Sequence, residues 1–204
     1  MLHTLHRVSA CVIGAFVAVH LLNHLLALES VDAHIAFMEA FRNLYRIPLV
    51  EILLLACVAF QIASGIYFIK ARWGQRRGFF ERLQALSGGY LAYFLLAHVG
   101  AVLFARTVFN LDTNFNFAAA GIHVSPFQFY FVPYYFLAVV AIFGHVACAI
   151  HWLTRNHFSL AARNRIGYAA LSIGAVLSAL IVAALAGGFY EITIPAEYTA
   201  TFGA

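Results

Sequence analysis

Two histidines end the two copies of a repeated apolar segment, where they could bind a metal centre. Residues 5–20 read LHRVSACVIGAFVAVH and residues 83–98 read LQALSGGYLAYFLLAH. Aligned without a gap, the copies share Leu at the first place, Ser at the fifth, Phe at the twelfth and His at the last. Ionisable side chains deep in apolar segments are costly and by default mark function. The repeat therefore predicts that His20 and His98 face each other across a helical bundle.

An iron porphyrin held between two imidazoles is the ligand that such a pair predicts. A lone buried histidine more often hydrogen-bonds a neighbouring helix, but the repeat favours iron ligation for His20 and His98. His24 lies one turn beyond His20 on the same face and is either an alternative ligand or a hydrogen-bonding neighbour. Zinc is disfavoured, since no third ligand stands at the same level and the sequence has no H-E-x-x-H. We therefore predict one six-coordinate, low-spin haem b.

The composition is that of a membrane protein. Of 204 residues, 64% are hydrophobic and 10% are charged, against about 45–50% and 25% in soluble domains. A membrane-spanning helix needs about 20 apolar residues. We predict an all-α integral membrane bundle with short connectors, forming one haem-binding domain over residues 1–204. Its five transmembrane helices are expected near 8–28, 48–70, 83–105, 127–153 and 166–189.

Basic residues are distributed unevenly between the two ends of these segments. Nine of the twelve lysines and arginines fall at Arg7 and in the loops 70–82 and 155–165, while seven of the eight acids fall at the opposite ends. Because lysine and arginine stay on the cytoplasmic side, we predict a cytoplasmic N-terminus and an external C-terminus. The protein is expected in the inner (cytoplasmic) membrane of a cell, as a multi-pass protein. The net charge of +4 reflects this topology, and no nucleic-acid partner is predicted.

A weaker repeat relates the second and fourth segments. VAFQIASGIYF, with Gln61, aligns with IFGHVACAIHW, with His145. The chain thus contains two copies of one helical hairpin, related by an axis along the membrane normal, plus a fifth helix. At about 1.5 Å rise per residue, His20 and His98 lie roughly 3–6 Å outward of mid-span, and Gln61 and His145 roughly 3–7 Å inward. This predicts two levels, with a histidine pair outside and a Gln/His pair inside.

The other histidines are assigned no ligand role. His151 is six residues past His145 and is expected at the cytoplasmic interface. The rest are expected in loops or at the terminus. These are His3, His6, His34, His123 and His157.

These motifs together resemble a known family. The chain resembles the five-helix, di-haem cytochrome b membrane anchor of succinate:quinone oxidoreductases and fumarate reductases. The resemblance rests on LHRVS, FVAVHLLNH, FQIASGIYF, RLQALSG with FLLAHV, and IFGHVACAIHW. It implies an outer haem bound by His20 and His98, and an inner haem bound at positions 61 and 145. It also implies that electrons pass between membrane quinone and a cytoplasmic flavoprotein and iron–sulfur subunit.

The chain departs from this family at Gln61, where the family has a histidine. A neutral amide is a poor iron ligand compared with imidazole. We therefore predict an inner site without haem, in which Gln61 hydrogen-bonds His145 directly. The alternative is an inner haem with His145 as its single protein ligand, or with His151 or a partner chain completing the site.

Three functions follow as alternatives. The first is the anchor and quinone-reactive subunit of a succinate dehydrogenase or fumarate reductase complex, in which Glu51 or, less favourably, Glu39 would relay protons to quinone. The second is a stand-alone or differently partnered membrane haem protein derived from that anchor. The third is a bundle without haem. The sequence has no phosphate-binding glycine loop and no nucleophile–base pair, so no bond chemistry is predicted for the chain alone.

Overall fold

The computed structural model describes residues 1–203, and this part of the chain folds into α-helices joined by short turns without any β-strand. The first four helices are α1 (Leu2–Leu26), α2 (Val31–Tyr45), α3 (Pro48–Ala71) and α4 (Phe79–Thr107). The others are α5 (Phe115–His123), α6 (Gln128–Leu153), α7 (Leu160–Leu185) and α8 (Ala196–Thr199).

Five of these helices, α1, α3, α4, α6 and α7, are long and apolar enough to cross a membrane. The predicted all-α class and the five spans are confirmed. Helices α1 and α7 begin about six residues before the predicted spans, in polar sequence. In α7 the Ser159 hydroxyl caps the start by accepting a hydrogen bond from the Ala162 amide. The helix ends before Gly187, whose φ of +77° breaks it.

Two further helices, α2 and α5, occupy connectors that were expected to be short. Ser30 caps α2, its hydroxyl accepting a 3.0 Å hydrogen bond from the Ala33 amide. The Asn114 side chain caps α5 in the same way. Helix α2 packs back along α1, because the rings of Phe41 and Tyr45 lie 5.6 and 5.4 Å from that of Phe16. The α1–α3 connector therefore adds a packed layer beside α1.

The five long helices form a ring. Contacts join α1 to α3, α3 to α4, α4 to α6, α6 to α7 and α7 back to α1. The pairs α1/α4 and α3/α6 lie across the ring with little backbone contact. Side chains from opposite helices can therefore meet only through the interior of the ring.

Packing is uneven around the ring. Helix α6 buries eight residues, whereas α3 buries only Ser64. Tight packing of α6 on α7 depends on small residues: Gly174 lies against the Phe143 ring, and the Ser178 hydroxyl donates a 2.7 Å hydrogen bond to the Phe136 carbonyl. The α6–α7 side is thus a compact wall, and the α1–α3–α4 side is more open.

Candidate functional site

The rings of His20 and His98 meet inside the ring of helices. Their centroids are 6.1 Å apart, with 60° between the ring planes. Each imidazole stacks on the phenylalanine one turn earlier in its own helix: His20 on Phe16 at 5.7 Å and 15°, and His98 on Phe94 at 5.0 Å and 11°. Side chains four residues apart share a helix face, so the same local device orients both imidazoles.

The separation of these rings suits two ligands of one metal. Metal–imidazole nitrogen bonds are about 2 Å long, so two imidazoles on opposite sides of one ion hold their centroids roughly 6 Å apart. The observed distance is 6.1 Å. Since α1 and α4 have little backbone contact, a flat group between the rings does not require two packed helices to separate. The separation therefore fits His20 and His98 as the two residues that would hold a haem iron.

A chain of polar contacts continues from His20 toward α2. His24 Nε2 lies 3.3 Å from His20 Nε2, and His24 Nδ1 lies 3.4 Å from His34 Nε2. The Asn23 amide lies 3.2 Å from the same His34 nitrogen. His24 thus occupies the position of a hydrogen-bonding neighbour of His20. Because that contact uses His20 Nε2, iron binding through this atom requires the His20 ring to turn away from His24.

His34, one of the residues in this series of polar contacts, was expected in a loop from the sequence. It lies on α2 and is only 2% exposed. Burial, followed by the charge of His20, lowers the pKa of His34 to about 4. At neutral pH the imidazole is therefore uncharged, and its Nε2 can accept the hydrogen bond of the Asn23 amide. A sequence signal was available, because Ser30 followed by an amphipathic run from Val31 is a typical helix start.

Gln61 does not contact His145, so the predicted hydrogen bond between them is wrong. The Gln61 amide nitrogen donates to the His6 carbonyl at 2.5 Å and to the Ser9 hydroxyl at 2.7 Å, both on α1. The physical reason is the order of helices in the ring. Helix α1 is the neighbour of α3, whereas α6 lies across from it.

His145 likewise bonds to its neighbouring helix. Its Nδ1 lies 3.2 Å from the Ser87 hydroxyl on α4. Gly88 makes room for the ring, since a Cβ at this position would lie 3.3 Å from His145 Cε1. The hydrogen bond uses Nδ1, which leaves Nε2 as the nitrogen that could bind a ligand.

His6 lies at the inner end of the bundle, and its position in a helix was not predicted from the sequence. Because α1 begins at Leu2, His6 lies within the helix, and its Nδ1 is 2.7 Å from the Ser64 hydroxyl. The ring also meets the edge of Phe68 at 5.2 Å. No sequence signal marks this, because the first turns of α1 are polar. His151, expected at the interface, is buried and stacks on Phe80 at 4.0 Å.

The two acids considered as proton relays differ in their surroundings. Glu51, in the first turn of α3, forms a 2.5 Å ion pair with Arg106 of α4, both side chains being 26% exposed. Glu39 is exposed on α2. Within residues 1–203, no three His, Cys, Asp or Glu side chains are arranged to hold a metal ion by themselves.

No known protein family, curated protein or solved structure matches this chain.

Proposed function

We propose that this chain is a membrane cytochrome b that holds one haem between His20 and His98. The observation that carries the proposal is the pair of rings at 6.1 Å, presented by helices that face each other across the ring. When bound, haem iron supplies one-electron transfer by cycling between its ferric and ferrous states.

The residues around the pair would bind and orient the group. His20 and His98 would both hold the iron, which would disfavour binding of carbon monoxide. Phe16 and Phe94 hold the imidazole planes by stacking. The neutral His24–His34–Asn23 chain supplies polar partners that limit where the His20 ring can turn.

An internal repeat supports this arrangement. Under the sequence alignment Ser9 corresponds to Ser87, and Gln61 to His145. The structure contains both corresponding contacts: Gln61 with Ser9 at 2.7 Å and His145 with Ser87 at 3.2 Å. Two hairpins, α1–α3 and α4–α6, thus make the same polar contact at the same place. This favours a pseudo-two-fold bundle with the histidine pair at one level and the Gln/His pair at the other.

The same contacts favour a single haem. The Gln61 amide nitrogen is committed to α1, and an amide is a poor ligand for iron. His145 is then the single imidazole of its pair, so the inner level lacks the second ligand of a six-coordinate haem.

Orientation and partners follow from the charge distribution and from the family resemblance. We propose a cytoplasmic N-terminus in the inner membrane of a cell, with basic loops that dock a flavoprotein and an iron–sulfur subunit. Electrons would then pass between these subunits and membrane quinone. The alternative is a stand-alone haem protein without succinate-linked activity. It is favoured by the engagement of Gln61 with α1, because a single outer haem breaks the two-haem relay of the anchor family.

The test is a visible spectrum of the purified protein, oxidised and dithionite-reduced. We expect a low-spin haem b spectrum in the wild type and its loss in His98→Ala. The matched control is His151→Ala, which removes a buried imidazole that stacks on Phe80 elsewhere, and it should keep the spectrum. A colourless wild-type protein, or an unchanged spectrum in His98→Ala, would contradict the proposal.

A further inference from the structure

Three arginines converge where α2, α3, α4 and the α4–α5 loop meet. Arg42 of α2 forms a 2.8 Å ion pair with Asp112 of the loop. Arg106 of α4 pairs with Glu51 of α3 at 2.5 Å. Arg46, at the end of α2, reaches only the Thr113 hydroxyl, at 3.4 Å. The cluster therefore has three cations and two carboxylates.

Arg46 is the unmatched member of this cluster. Among residues 1–203 it has no carboxylate partner, and its buried Nε has no hydrogen-bond partner. Burial, together with the charges of Arg42 and Arg106, lowers the pKa of Arg46, yet a guanidinium stays charged at neutral pH. Asp112, which pairs with Arg42, offsets only part of this effect, and a half-buried cation without a carboxylate of its own is costly unless an anion joins it. The cluster is thus built to receive an acidic group.

The cluster is linked to the histidine pair through aromatic contacts. Tyr45, the residue before Arg46, meets Phe16 edge-on at 5.4 Å. Phe16 in turn stacks on His20 at 5.7 Å. Two aromatic rings, those of Tyr45 and Phe16, thus connect the end of α2, where Arg46 lies, to His20. The other nine lysines and arginines fall toward the opposite ends of the spanning helices.

We propose that Arg46, supported by Arg42 and Arg106, binds the propionate carboxylates of the haem held by His20 and His98. This rests on the proposed function. Haem b carries two carboxylates on one edge, which the axial histidines leave unpaired. In an apolar bundle these anions need cationic partners, and the planar guanidinium matches a carboxylate with two parallel hydrogen bonds. An acidic lipid headgroup offers similar anionic oxygens, so the test separates the two sources.

The experiment compares haem with its dimethyl ester, in which both carboxylates are blocked. Detergent-solubilised apoprotein is titrated with each compound, for the wild type and for Arg46→Gln. We expect Arg46→Gln to weaken binding of haem roughly tenfold, as expected for loss of a charge-assisted pair, and to leave binding of the ester unchanged. The control is Arg155→Gln, an exposed arginine after α6, which should change neither affinity. Arg46→Lys should fall between the wild type and Arg46→Gln.

The outcomes separate this inference from the proposed function. Equal weakening of haem and ester by Arg46→Gln would mean a structural role and would overturn the inference. Equal haem affinity in the wild type and in Arg46→Gln would also overturn it. If Arg46→Gln then bound phosphatidylglycerol vesicles more weakly than the wild type, the cluster would be assigned to lipid. In both cases the proposed function survives if His98→Ala still abolishes the low-spin spectrum. Wild-type protein that binds neither compound would overturn both.

Discussion

The His20/His98 pair and the Gln61/His145 pair, which we propose form the outer and inner levels of the bundle, differ in arrangement. At the outer level His20 and His98 extend into the ring interior and meet at 6.1 Å. At the inner level Gln61 and His145 each bond to the helix beside them. The contrast shows that an amide at this position is satisfied by the neighbouring helix. A six-coordinate haem between opposite helices needs a protein ligand at both positions.

The orientation of the chain in the membrane determines which level is external. A test of this orientation gives an all-or-none result. A periplasmically active reporter fused after Ala204 should be active only outside the membrane, because lysine and arginine are concentrated at the predicted cytoplasmic ends. The control is the same reporter fused in the 155–165 loop, which should be inactive. If the loop fusion were active and the C-terminal fusion inactive, the orientation would be reversed and the outer and inner levels would exchange sides.

Gln61→His should make the inner level resemble the outer one. A histidine at this position could contact Ser9 through Nδ1, as His145 contacts Ser87, and present Nε2 to the interior. We expect haem content to rise from one to two per chain, measured as pyridine haemochromogen against protein mass. Gln61→Ala is the matched control and should stay at one. Failure of Gln61→His to add haem would show that the inner level differs by more than one ligand.

A smaller effect is expected from the stacking residues of the outer level. Phe94→Ala removes the ring parallel to His98, a contact worth about 0.5–1.5 kcal/mol, and should weaken haem affinity by roughly threefold to tenfold. Phe104→Ala, on the same helix and 53% exposed, is the control and should leave affinity unchanged. Titration of both apoproteins with haem measures the difference. Equal affinities would show that stacking does not orient the ligand.

The spans could be predicted from the sequence because apolar length alone determines them. The approach of His20 to His98 could also be predicted from the sequence, since an ungapped repeat places equivalent residues at one depth. The helix that Gln61 contacts could not be predicted, because the alignment gives the depth of a residue but not which neighbouring helix it touches. Helix α2 and the helical position of His6 were not predicted, because hydropathy does not identify helices that begin in polar sequence.

The most direct test of the account is the number of haems per wild-type chain. The His20/His98 pair supplies two imidazoles and the Gln61/His145 pair supplies one, so we predict one haem b per chain with a low-spin spectrum. It should be measured on protein purified with haem in excess during expression, so that supply does not limit the count. A ratio of two in the wild type would contradict the account, since it would require a ligand other than Gln61 opposite His145.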